Sequence, residues 1–228
     1  MKIQVRLSTT LRNFVDNYIP SEGLEVTLNE PLTLEEVALK LGLPTEEIKI
    51  VMLNGRRVKL DAKIGDGDRV GFFPAVGGGN PNSALTASLA PEVLKALASQ
   101  GEKIYPAEAC GFLLGLNSQS SLSELKLFIK EILPSISRPS RLDSYLLEAQ
   151  ELEAAEVLAQ SRGLVVAGFY HSHPDSPAQP SPLDHQNALD EYLYAIVEVR
   201  HGKCGQIRLF RWSDEKFKLT SLNPGLEV

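Results

Sequence analysis

The chain has 228 residues, 43% of them apolar, which is enough for two small domains that each bury a core. Lys and Arg number 23 against 29 Asp and Glu, a net charge of −6, so no cationic excess exists to neutralise phosphates or anionic lipid, and neither nucleic acid nor a membrane surface is an expected partner. No run approaches the roughly 18 to 20 apolar residues of a membrane span, the opening MKIQVRLSTTLRNF has no signal-peptide core, and Cys110 and Cys204 could form one bridge at most, so a reducing, cytoplasmic setting is expected.

Lys2 to Leu7 alternates polar residues with Ile3, Val5 and Leu7, the period of a strand with one buried face. A helical turn or two follows at LRNFVDNY, and LEVTL then places Leu24, Val26 and Leu28 on one side of a second strand. Leu34, Val37, Ala38 and Leu41 recur at helical spacing behind Thr33, and Gly42 suits a C-terminal stop. IKIVMLNGRRV predicts a strand turning at Asn54-Gly55, and GDGDRVGFFPAV a tight turn into a last strand. The predicted order is β, β, α, β, β, ending in AVGGGNPNSALT, a stretch of glycine, proline and small polar residues that marks a boundary near Gly79.

That order and the ending G-D-x-V-x-F-F-P-A-V-G-G-G resemble the ThiS/MoaD sulfur carriers, which are ubiquitin-like β-grasp proteins. The resemblance covers residues 1–79. It implies a Gly-Gly tail, here Gly78 and Gly79, whose carboxylate is adenylated by an E1-like activating partner. Glycines serve there because bare backbone can thread a narrow channel that side chains would obstruct. The chain continues through Asn80, so the resemblance implies either cleavage after Gly79 or a module that never acts as a carrier. Residues 80–83 read as a linker spanning at most about 14 Å.

From residue 84 onward the sequence predicts a strand at ALTASLA, a helix from Pro91 to about Ser99, and strands at ACGFLLG and LKLFIKEIL. NSQSSLS and PSISRPSR read as loops. A helix over YLLEAQELEAAEVLAQ sets Leu147, Leu152, Ala155 and Leu158 opposite Glu148, Glu151 and Glu156, whose side reads as solvated. LVVAGFY, YLYAIVEV, QIRLFRW and FKLTSL complete a layered, mostly antiparallel domain over 84–228, with Phe210 and Trp212 in its core; the chain as a whole is expected to be α+β.

Three of the four histidines crowd into GFYHSHPDSPAQPSPLDHQNAL. His171 and His173 are two apart at the end of a strand, so both imidazoles point to one side. Ser181 and Pro182 suit the N-cap and first position of a new helix, which brings Asp184 back toward the histidines. Two neutral imidazoles and a carboxylate are the three-ligand set of catalytic zinc, leaving one position for water. Glu108, at the polar start of an otherwise apolar strand, is the candidate base for that water, and Ser181 the candidate donor to the developing oxyanion. Ser181-Pro-Leu-Asp184 alone would be an ordinary helix start; only its distance from the histidines suggests more. His185 falls on another helix face, His201 in a surface turn, and neither cysteine spacing is that of a metal site.

H-x-H-x(7)-S-x(2)-D with an upstream Glu resembles the signature of the JAMM (MPN+) metalloproteases over roughly residues 84–220. The resemblance implies an α/β/α domain holding one zinc ion on His171, His173 and Asp184, with Glu108 as general acid/base and Ser181 assisting. It also implies cleavage of the peptide or isopeptide bond after the C-terminal glycines of a ubiquitin-like protein, which makes the fused N-terminal domain, in cis or in trans, the expected partner and Gly79-Asn80 the expected bond. Two other readings stay open: release of cysteine or another small adduct from the carrier tail, and a non-catalytic modifier or scaffold.

Overall fold

The computed structural model describes residues 1–19, 22–54, 56–74, 84–121, 124–135, 149–189, 192–213 and 216–220. The chain divides into two compact units, Met1–Gly78 with Glu148–Val157, and Gly79–Leu147 with Leu158–Val228. Gly78, Gly79, Asn80 and the expected linker over 80–83 lie outside the described residues.

In the first unit β1 (Lys2–Leu7), β2 (Leu24–Thr27), β3 (Ile48–Leu53), β4 (Arg56–Val58) and β5 (Arg69–Pro74) form one sheet in the order β2-β1-β5-β3-β4. β1 and β5 run parallel at its centre, and antiparallel partners flank them, which is the β-grasp arrangement. The alternation in β1 does what its period demands: Ile3, Val5 and Leu7 are buried with Phe72 of β5 against Leu34, Val37 and Ala38 of α1 (Leu34–Lys40). α1 starts in a capping box, Thr33 Oγ1 accepting the Glu36 N–H at 3.2 Å and Glu36 Oε2 accepting the Thr33 N–H at 2.7 Å. β3 and β4 pair antiparallel as the expected hairpin requires, with Asn54 at φ 52° in the left-handed region that Asn tolerates. Glu156, in the part of α3 (Ala149–Ser161) that belongs to this unit, corrects the expectation of a solvated face. It is buried, accepts the Ser8 hydroxyl, and lies 3.6 Å from the Arg12 guanidinium. Helical periodicity separates polar from apolar faces but says nothing of a buried partner that supplies opposite charge.

The second unit is built on a seven-stranded sheet. Its strands are β6 (Ala84–Leu89), β7 (Cys110–Ser121), β8 (Glu124–Pro134), β9 (Val165–Pro174), β10 (Leu193–Arg200), β11 (Lys203–Ser213) and β12 (Lys216–Leu219), in the order β12-β11-β10-β9-β7-β8-β6. Four adjacent pairs are antiparallel; β9–β10 and β6–β8 are parallel. α2 (Pro91–Ile104) continues five residues past Ser99 and packs on β8 to β11, where a Cβ on Gly101 would come within 2.8 Å of Val199. The predicted loop NSQSSLS is a correction too: β7 runs through Ser121, pairing Asn117 with Leu127, Ser118 with Lys126 and Gln119 with Leu125. Polar side chains do not prevent this, because the ladder is made by backbone groups. Phe210 and Trp212 are buried, as expected. Both units mix helices and sheets, so the chain is α+β. No described helix is long and apolar enough to cross a membrane.

The core argument for the first unit is testable on one helix. Leu34 is fully buried and Leu39 is 60% exposed. Leu34→Ala is expected to destabilise this unit by about 2–5 kcal/mol, and Leu39→Ala by no more than about 0.5 kcal/mol, read from hydrogen exchange of the β1 and β5 amides in the full chain.

Candidate metal centre

β9 lies between β10 and β7 and is buried along nearly its whole length. His171 stands opposite Ile196 on one side and Cys110 on the other, and His173 opposite Glu198. Strand alternation turns both imidazoles to the same face, where their Nε2 atoms are 3.0 Å apart. The loop after Pro174 carries Pro177 and Pro180, whose fixed φ angles limit the conformations this return to the sheet must exclude.

α4 (Pro182–Asn187) starts where the sequence places it, and its cap is also what aims Asp184. Ser181 Oγ accepts the Asp184 N–H at 3.2 Å, and Asp184 Oδ2 accepts the Ser181 N–H at 2.5 Å. The carboxylate is fully buried, with Oδ1 3.2 Å from His171 Nε2 and Oδ2 3.5 Å from His173 Nε2. One atom from each of the three residues lies within 4.8 Å of the others, the arrangement of a site that could hold a metal ion. The ordinary helix start and the convergent carboxylate are therefore the same residues.

The donor set fits a cation. His173 Nδ1 lies 2.9 Å from the Pro177 carbonyl, an acceptor only, so Nδ1 carries the proton and Nε2 is free to present a lone pair to the shared point. Burial holds His171 toward its neutral form, below the usual histidine range. Burial pulls His173 the same way, but the Asp184 hydrogen bond, the Pro177 carbonyl and the charges of Asp184 and Glu108 outweigh it and raise its pKa. A buried carboxylate between two imidazole nitrogens needs positive charge at that point, and a divalent ion supplies it to all three donors at once.

Glu108 is half-buried in the segment entering β7, close enough for its charge to act on His173. His185 is exposed; its Nδ1 lies 2.8 Å from the Ser181 carbonyl, and its ring stands edge-on to Trp212 and Phe217. It anchors the start of α4, a role that its spacing from the other histidines did not signal. His201 is on the surface, and Cys110 and Cys204 are half-buried and not joined in a disulfide. Sequence spacing also passed over the Pro177 carbonyl, because backbone acceptors leave no residue-type signature.

A mixed sheet presenting paired histidines and a capped aspartate defines the class of JAB/MPN-type hydrolases. The family profile described as prokaryotic homologs of the JAB domain matches residues 90–213, more than half of the chain, and the chain belongs to that family, whose domain is typically metal-dependent. Residues 1–77 match a second family, described as Mut7-C ubiquitin, so a ubiquitin-like domain precedes the JAB domain. Among similar proteins, the "Desampylase" of Haloferax volcanii is 27% identical over 118 residues, covering 51% of this chain and 78% of that protein. The "Probable TtuB-protein conjugate cleaving protease" of Thermus thermophilus is 39% identical over 64 residues, covering 28% of this chain and 43% of that protein. The solution structure of a Desulfitobacterium hafniense protein shares the fold, with a TM-score of 0.51 at 20% identity over 61% of this chain and 97% of that one.

Asp184→Asn separates charge from capping, since an Asn amide oxygen can still accept the Ser181 N–H. It is expected to lower zinc affinity at least about a hundredfold in calorimetric titration while leaving the melting temperature of the metal-free chain within a few degrees. A chain that still takes up one zinc per molecule with unchanged affinity would show that the ion sits elsewhere.

Proposed function

We propose that this chain is a zinc-dependent isopeptidase that hydrolyses the bond after the C-terminal Gly-Gly of a ubiquitin-like sulfur carrier, and that its own Gly79–Asn80 bond is one such substrate. The observation that carries the reading is the convergence of His171, His173 and Asp184 in a chain whose JAB domain follows a ubiquitin-like domain. The names of the two curated relatives support the same substrate class. Cys110 and Cys204, which are not joined in a disulfide, accord with a reducing, cytoplasmic setting.

In this reading His171, His173 and Asp184 hold the zinc. The bound ion supplies Lewis acidity, polarising the scissile carbonyl and lowering the pKa of water toward about 7. Glu108 takes a proton from the attacking water as its oxygen bonds to the Gly79 carbonyl carbon. The same carboxyl then gives the proton to the departing nitrogen as the C–N bond breaks, leaving a Gly79 carboxylate and a free amine. Ser181 donates to the carbonyl oxygen as negative charge grows there. Its cap leaves that possible, because the Asp184 N–H occupies an oxygen lone pair and the hydroxyl proton stays available. The freed Gly79 carboxylate is the group an E1-like activating enzyme would adenylate, so such an enzyme and carrier domains of this or another chain are the proposed partners.

Purified full-length protein incubated with zinc is expected to give fragments ending at Gly79 and beginning at Asn80, read by intact mass. A chelator should stop this, and Glu108→Gln should slow it at least about a hundredfold. An unchanged mass after prolonged incubation would contradict self-processing. A dilution series identifies the route, since cleavage within one molecule has a rate constant independent of concentration and cleavage between molecules does not.

A further inference from the structure

In the reading just proposed, the placement of Glu108 decides the rate, and two contacts tie its segment to the histidine strand. Ser172 lies between His171 and His173 and is 1% exposed. Its Oγ accepts the Ala109 N–H at 2.8 Å, and its own N–H donates to the Ala109 carbonyl at 2.8 Å. Both backbone groups of the residue next to Glu108 are therefore held by one serine. At the other end, the Tyr105 hydroxyl donates to Asp175 Oδ2 at 2.9 Å. Asp175 is itself fixed, its Oδ1 accepting the His201 N–H at 2.9 Å and its N–H donating to the Val199 carbonyl at 2.7 Å. Residues 105 and 109 are thus tied to residues 175 and 172, which bracket His173. α2 closes over the same place, since a Cβ on Gly101 would stand 3.6 Å from the Ser172 Cβ.

We infer that Ser172 and Asp175 are positioning residues that set the Glu108 carboxylate relative to the His171–His173–Asp184 donor set. The inference rests on the proposed role of Glu108. Neither residue touches the reacting atoms in this account. Ser172 acts because a serine oxygen is the acceptor for a buried N–H; alanine would leave that N–H unpaired and free the segment to shift. Displacement of a proton-transfer group by about 1 Å can cost about a hundredfold in rate. Threonine keeps the oxygen, and its branched Cβ suits a strand. Asp175 and Tyr105 act from the exposed side, so their bond is weaker, and its loss threatens the fold less.

The test uses full-length enzyme variants, with full-length Glu108→Gln protein, which keeps an intact Gly79–Asn80 bond, as the substrate. Ser172→Ala and Tyr105→Phe are expected to bind one zinc per chain, to keep KM within about twofold, and to lose tenfold or more in kcat. Hydrogen exchange should rise at least tenfold in peptides covering residues 105–110 but not across β9, and Ser172→Thr should keep both rate and protection. Unchanged kcat in either variant, or zinc content falling and KM rising together with the loss of kcat, would overturn the positioning role. Wild-type protein whose cleavage depends on Glu108 but ignores Ser172→Ala removes this inference alone. Wild-type protein that cleaves nothing with zinc removes the isopeptidase reading and this inference with it.

Discussion

A fully buried carboxylate within 3.2 and 3.5 Å of two imidazole nitrogens is the constraint on which the second unit turns. With both imidazoles neutral the three groups would carry one net negative charge in a buried place, a costly arrangement. Protons could balance it in part, since Asp184 raises the His173 pKa, but burial works against protonating His171. A divalent ion balances it without that penalty and uses lone pairs already aimed at one point. Binding energy from such an ion is also stabilisation of the fold around it.

Each donor is placed by ordinary secondary-structure physics. The period of two puts both histidines on one face of a strand flanked by β10 and β7, where register leaves little freedom. The aspartate is held by the same reciprocal bonds that cap a short helix, so two N–H groups at the start of α4 are satisfied and the ligand is oriented by one set of contacts. The segment bearing Glu108 enters the neighbouring strand and is fastened to the histidine strand by its backbone. Fold and chemistry therefore share contacts, and a change that loosens one loosens the other.

What the sequence made legible was whatever has a residue-type period or a local spacing. The strands of the first unit, the α1 stripe, the histidine pair and the capped aspartate all belong to that group. Chain lengths set by tertiary pairing did not. β7 runs through Asn117 to Ser121 because β8 is there to pair with it, and α2 passes Ser99 because the sheet gives its next turn a surface to cover. Glu156 looked solvated because its partners, Ser8 and Arg12, lie far away in the chain. Ser172 reads as a spacer between two histidines, and only the β7–β9 pairing shows that it holds Ala109.

The most direct measurement is anomalous diffraction at the zinc absorption edge from crystals of the full-length protein grown with zinc. The account predicts one strong peak per chain, about 2.0–2.2 Å from His171 Nε2, His173 Nε2 and an Asp184 oxygen. A peak held by other residues, or none at this point at full zinc loading, would contradict it.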